Sequence, residues 1–146
     1  MATILRCAID GHEDLAFSID CTYGEASNPN IFAAVMACLD KYGLFCYLGH
    51  VTISGRNFWV PTRVVFTGKP DNTVDRQPGD VYLYAPGQTI IFTYGAATET
   101  AKVGKFAEVV SSDRPKLELI GDLVWKNTIV DFVKNHYSCR SCGKYL

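Results

Sequence analysis

Long apolar runs are missing from this sequence. No stretch approaches the ~20 residues that cross a bilayer as a helix, so a membrane is not expected as a partner. An excess of either charge is missing too: 14 Lys and Arg stand against 15 Asp and Glu, for a formal net charge of −1. Nucleic acid and anionic lipid select for basic patches, so nucleic acid is not expected as a partner either. Residues 1–7 have neither the basic start nor the roughly 7–15-residue apolar stretch of a secretory signal, and a cytoplasmic location is expected. Phosphate loops, nucleophile elbows, dinucleotide fingerprints and His-Glu-x-x-His segments are also absent. The enzyme classes most readily recognised from one sequence therefore fall away, and no cofactor is expected.

What is present describes an ordinary globular chain of 146 residues, 48% apolar and 20% charged. That length suits one domain, which can bury roughly 68–70% of its unfolded surface without covalent staples. We read residues 1–137 as a single domain and 138–146 as an irregular tail. Six cysteines occur, at Cys7, Cys21, Cys38, Cys46, Cys139 and Cys142. Four sit in apolar segments where a thiol acts as a small hydrophobe, and reduced thiols are expected.

Local signals place most elements. Asp10-Gly11 suits a hairpin turn, and Leu15, Phe17 and Ile19 alternate on the returning strand. Asn28 is read as the cap of a helix that Pro29 opens and Gly43 ends, with Ile31, Val35, Cys38, Leu39 and Tyr42 as its apolar stripe. Residues 45–53 and 58–66 read as paired strands around a turn at 54–57. Residues 68–80 form a long polar loop, a place where function can reside. Strands are expected at 80–85, 89–94 and 103–110, with Pro86-Gly87 at the centre of a type II turn. A second helix is expected over 121–136, capped by Asp122, on the spacing of Trp125, Ile129, Val133 and Tyr137.

Three segments then carry a resemblance: Gly79-Asp80-Val81-Tyr82-Leu83-Tyr84-Ala85-Pro86-Gly87, Ile90-Ile91-Phe92-Thr93-Tyr94-Gly95 and Lys102-Val103-Gly104-Lys105-Phe106. Together they resemble a group of small bacterial and archaeal proteins with a cyclophilin-like barrel. Asn57-Phe58-Trp59-Val60-Pro61 is similar to the strand that precedes those motifs. The match runs over about residues 45–110. It implies a mainly-β, cyclophilin-like closed barrel flanked by two helices, in a family whose members are largely uncharacterised. The cucumopine synthases look like distant relatives, which implies a catalytic branch. Prolyl isomerase activity ranks last, because the groove residues of true cyclophilins have no counterparts here.

The candidate chemistry gathers at the barrel edge. Trp59, Tyr84, Phe92 and Tyr94, with Arg63 and Glu99 as nearby charges, are expected to wall a pocket beside the loop 96–100. Arg63 is the expected carboxylate clamp. His50, Tyr94 and Glu99 are the candidate proton-moving groups, with His50 also read as a structural histidine beside Cys46. His136, Cys139 and Cys142 supply three zinc-type donors where a structural site needs four, so an ordinary tail is preferred over a metal site or a redox pair. The expected function is small-molecule binding in bacterial metabolism, and an enzyme of condensation, cyclisation or hydrolysis is the alternative. A homodimer is also expected, from the aromatic content.

Overall fold

The computed structural model describes residues 1–131 and the strand at 138–142. Among the described residues, nine antiparallel strands form one sheet. They are β1 (Ile4–Ile9), β2 (His12–Asp20), β3 (Leu44–Tyr47), β4 (Gly49–His50), β5 (Gly55–Pro61), β6 (Asp80–Tyr84), β7 (Thr89–Ala97), β8 (Lys105–Val109) and β9 (Ser138–Cys142). Their order is β3-β9-β1-β2-β8-β6-β7-β5-β4. Three helices accompany them: α1 (Thr22–Ser27), α2 (Pro29–Tyr42) and α3 (Arg114–Trp125). The described residues are thus mainly β, with three helices among them where two were expected in the chain. Among the described residues, no helix is long and apolar enough to cross a membrane.

The closed barrel is corrected. The sheet curls but stays open, because β3 and β4 form its two edges and no pairing joins them among the described residues. The reason is steric: β3 and β4 are separated by Leu48 alone, and a hairpin between neighbouring strands ordinarily needs at least two loop residues. Within the expected tail, residues 138–142 form β9 between β1 and β3, and 143–146 lie outside the described residues.

Turn chemistry explains the elements that the sequence reading located. Gly11 takes φ +77° between β1 and β2, and Gly43 takes φ +65° after α2, where its N–H donates to the Leu39 carbonyl. Other elements differ from expectation: the strand expected at 45–53 is split at Leu48 into β3 and β4, with β3 pairing to β9, and the strand expected at 58–66 ends at Pro61. Residues 85–87 form a short 3₁₀ turn instead of a type II turn, with Gln88 taking the left-handed conformation at φ +49°. The last helix starts earlier than expected, at Arg114, with Pro115 in its first turn and Leu117, Ile120 and Val124 as its buried stripe. A single turn of π-helix covers Lys126–Val130, and the remainder of the expected helix, 132–136, lies outside the described residues.

One face of the sheet carries the main core. Phe58 stacks on Phe92 with centroids 5.0 Å apart, and Phe17 meets Phe92 edge-on at 5.5 Å. Ile31, Val35 and Cys38 from α2 and the α3 stripe close over this face. The opposite face bears a smaller apolar group of Tyr82, Ile91 and Val103, with Trp59 and Val74 packed against it. Beside it the Lys105 ammonium is paired with the buried Asp80 at 2.8 Å and with Glu108. Burial works against that charge, but the two carboxylates outweigh it and hold the Lys105 pKa above its ordinary value.

Candidate binding cleft

The strand register decides which side chains meet. Trp59 pairs with Ile91, and Ile91 with Tyr82, so these three form a row across β5, β7 and β6 on the outer face. Their immediate neighbours Phe58, Phe92 and Val81 form the matching row on the core face. A cleft of about 1150 Å³ lies over the outer row. Its walls come from 65–70, from the turn at 84–89, and from Glu99 and 101–104. Drug-sized ligands occupy cavities of ~300–1,000 Å³, so the space is ample.

Three cations border this cleft: Lys69 and Lys102 are exposed, and Arg76 has a buried side chain. The Arg76 side chain is only 8% exposed, and its guanidinium carbon lies 5.6 Å above the Tyr82 ring. Nη1 is 2.9 Å from Glu99 Oε2, close enough for an ion pair but off-axis for a hydrogen bond. Nε and Nη1 are buried without an acceptor among the described residues. Leaving a buried donor unsatisfied costs about 1–3 kcal/mol. Burial also pushes the Tyr82 phenol above its ordinary pKa, although Arg76 pulls the other way. A cation with donors to spare, set beside an apolar floor, can hold a carboxylate attached to an aromatic or aliphatic body.

The Arg76–Glu99 pair also borders a second cavity of about 460 Å³, whose lining includes Gln77, Pro78, Gly95 and Ala97. Arg76 and Glu99 therefore face two spaces, one floored by rings and one lined by Gly95, Ala96 and Ala97 together with the polar Asp75 and Gln77.

The structure divides the expected site. Trp59, Tyr84 and Glu99 line the cleft. Phe92 is 2% exposed in the core, one residue out of phase with Ile91, and does not reach it. Arg63 lies 5.0 Å over the Tyr42 ring and is not part of the lining. Tyr94 shares the parity of Phe92 and meets His50 instead, its hydroxyl 2.6 Å from Nε2. His50 Nδ1 is 2.6 Å from the Val51 carbonyl. That oxygen only accepts, so Nδ1 carries the proton and Nε2 accepts from Tyr94. Trp125 covers this pair, its ring 4.8 Å from His50. Burial holds the His50 pKa below its ordinary value, with Arg56 helping and the Val51 carbonyl and Asp122 opposing.

The metal reading of the tail goes no further. His136 lies outside the described residues, as do the side chains of Cys139 and Cys142. As backbone positions of β9, those two cysteines are three residues apart on an extended strand, about 10 Å, and on alternate faces. Among the described residues no group of three or more His, Cys, Asp or Glu is arranged to hold a metal ion.

Arg76 is the residue that sequence reasoning missed. It is the sole arginine of the loop 68–80, a segment already marked as a place for function, and that was the available signal.

No protein-family model matches this chain, and no curated protein matches it by sequence. Solved structures do match. McbB, determined in complex with tryptophan, is similar at a TM-score of 0.83 with 20% identity over 97% of this chain. The chain spans 45% of the McbB chain, less than half of it. The hypothetical protein AF2241 from Archaeoglobus fulgidus, solved in solution, is similar at a TM-score of 0.59 with 17% identity, covering 96% of this chain and 93% of its own. At such identities the likeness establishes shape alone, and the curled antiparallel sheet with its helices is a fold this chain has in common with both.

Proposed function

We propose that the protein binds a small amphiphilic carboxylate, an aromatic amino acid or a close relative of one, in the cleft over Trp59, Ile91 and Tyr82. The observation that carries this reading is the Arg76 guanidinium in the cleft wall over Tyr82, with Nη1 ion-paired to Glu99 and Nε without a hydrogen-bond acceptor among the described residues. The parallel donor pairs of a guanidinium are Nε with Nη2 and Nη1 with Nη2, so a carboxylate that reaches Nη2 can take a second hydrogen bond from a neighbouring donor, while the ring rests on the apolar floor. Glu99 at the rim offers an acceptor to an ammonium group. The tryptophan bound by McbB combines these three features. Under this reading Trp59, Tyr84 and Glu99 are ligand contacts, and Arg76 takes the clamp role first given to Arg63. The resemblance of about residues 45–110 to small cyclophilin-like barrel proteins, and the distant one of that group to the cucumopine synthases, remains part of the same proposal.

Thermal shift with L-tryptophan, L-phenylalanine, indole-3-acetate and indole tests it. A ligand at 100 times its Kd stabilises by about 2.7 kcal/mol. The carboxylated compounds are expected to raise the melting temperature more than indole does, and Arg76→Gln should abolish that difference. If no aromatic carboxylate shifts the transition, or if Arg76→Gln binds as the parent does, the reading is wrong.

A second reading, an enzyme, is favoured by the two cavities that share Arg76 and Glu99. A second reactant in the smaller cavity would meet the first beside Glu99, whose carboxylate would move the proton in a condensation or cyclisation. His50 and Tyr94, hydrogen-bonded to each other on the other face, take no part in it.

A further inference from the structure

Residues 62–79 run from β5 to β6 with no strand or helix of their own, yet they carry Arg76. What fixes that loop lies at the junction of α1 and α2. Asn28 is fully buried: its Nδ2 donates to the Lys105 carbonyl at 2.8 Å, and its Oδ1 accepts the Asn72 N–H at 2.8 Å. Asn72 returns a bond from Nδ2 to the Ser27 carbonyl at 2.6 Å. Asn30 donates Nδ2 to Asp71 Oδ1 at 2.7 Å and its backbone N–H to Asp71 Oδ2 at 3.2 Å. The Asp71 carboxylate therefore sits at the N-terminus of α2, where an anion is favoured, and Asn28 makes no side-chain cap there. Gly104 completes the seat, since a Cβ there would come within 2.6 Å of Ile31 and 3.1 Å of Pro70. Two residues before Arg76, Val74 exchanges backbone hydrogen bonds with Val103, at 3.0 and 2.9 Å.

We propose that Asn28, Asn30 and Asp71 are positioning residues of the cleft. They pin the loop to the helix junction so that the Val74–Val103 bridge forms and Arg76 is held over Tyr82. The proposal rests on the small-molecule reading of the cleft. None of the three lines the cleft, so each acts on a ligand only through the loop.

Asp71 is exposed, so its replacement spares the core, and it gives the cleaner test than buried Asn28. The parent, Asp71→Ala and the exchanged pair Asn30→Asp with Asp71→Asn are compared by hydrogen exchange of the 71–77 amides without ligand, and by L-tryptophan titration. Asp71→Ala should speed exchange in that segment and weaken tryptophan binding, each by about tenfold, the factor one hydrogen bond to a charged group carries. The exchanged pair re-forms a donor opposite a carboxylate and should restore both. Unchanged exchange in Asp71→Ala overturns the proposal, as does failure of the exchanged pair to restore it. Unchanged tryptophan affinity in Asp71→Ala, where the parent binds, also overturns it. A parent that binds no aromatic carboxylate, with the exchange response intact, would sink the reading of the cleft and leave the clamp standing.

Discussion

Protonating His50 puts a hydrogen on Nε2, the nitrogen that accepts the Tyr94 hydroxyl. The pair must then turn its hydroxyl around, in a site where burial already disfavours the charge. Because the folded pKa lies below the ordinary value of about 6.5, the unfolded chain binds more protons than the folded one as pH falls through that region. Stability conferred by neutral His50 is therefore full above the unfolded pKa and lost as pH drops towards the folded one. His50→Gln should flatten this component of the melting temperature between pH 7.5 and pH 5. An equal pH slope in the variant and the parent would show that His50 is not its source. Burial pushes the Cys21 thiol up to about 12, so it stays protonated at neutral pH.

The helix α3 meets the sheet through a position without a side chain. A Cβ on Gly121 would fall within the space of the Tyr94 ring, and that ring is held on its far side by His50. Gly121→Ala is expected to cost about 1–3 kcal/mol by overpacking, read as a lower urea midpoint, and Tyr94→Leu in the same chain should recover part of it. The start of this helix was not legible because its real stripe begins beside Pro115, whereas the periodic Trp125 and Ile129 are both more than a third exposed. The hairpin of β1 and β2, and α2, were legible because Asp10-Gly11, Pro29 and Gly43 carry their conformations locally. The site was less so. Ile90, Ile91 and Phe92 are apolar at both parities, so alternation could not say which of them faces the core, and Trp59 and Phe92 were assigned one wall when they stand on two. Arg76 lies in a segment with no period, and contacts distant in sequence, the Val74–Val103 bridge and the Glu99 ion pair among them, turn it over β6.

Across the whole molecule the sheet separates what stabilises from what is proposed to bind. The core face holds Phe58, Phe92 and Phe106, each at most 2% exposed, and the cleft floor lies behind them. Phe92→Ala is expected to cost about 3–5 kcal/mol in chemical denaturation while leaving the affinity of the folded fraction for aromatic carboxylates near that of the parent. Trp59→Leu should do the reverse, losing affinity with a much smaller change in the denaturation midpoint. If both variants moved both quantities together, the two faces would not be independent.

The margins of the curled sheet are short, four residues at β3 and two at β4. A foreign strand approaching either margin finds few free main-chain groups to zip onto, which removes the usual template for fibrous self-assembly. Among the described residues, a chain this rich in strands thus offers its own kind little to stack on along its rims, although its outer face is broad and oily.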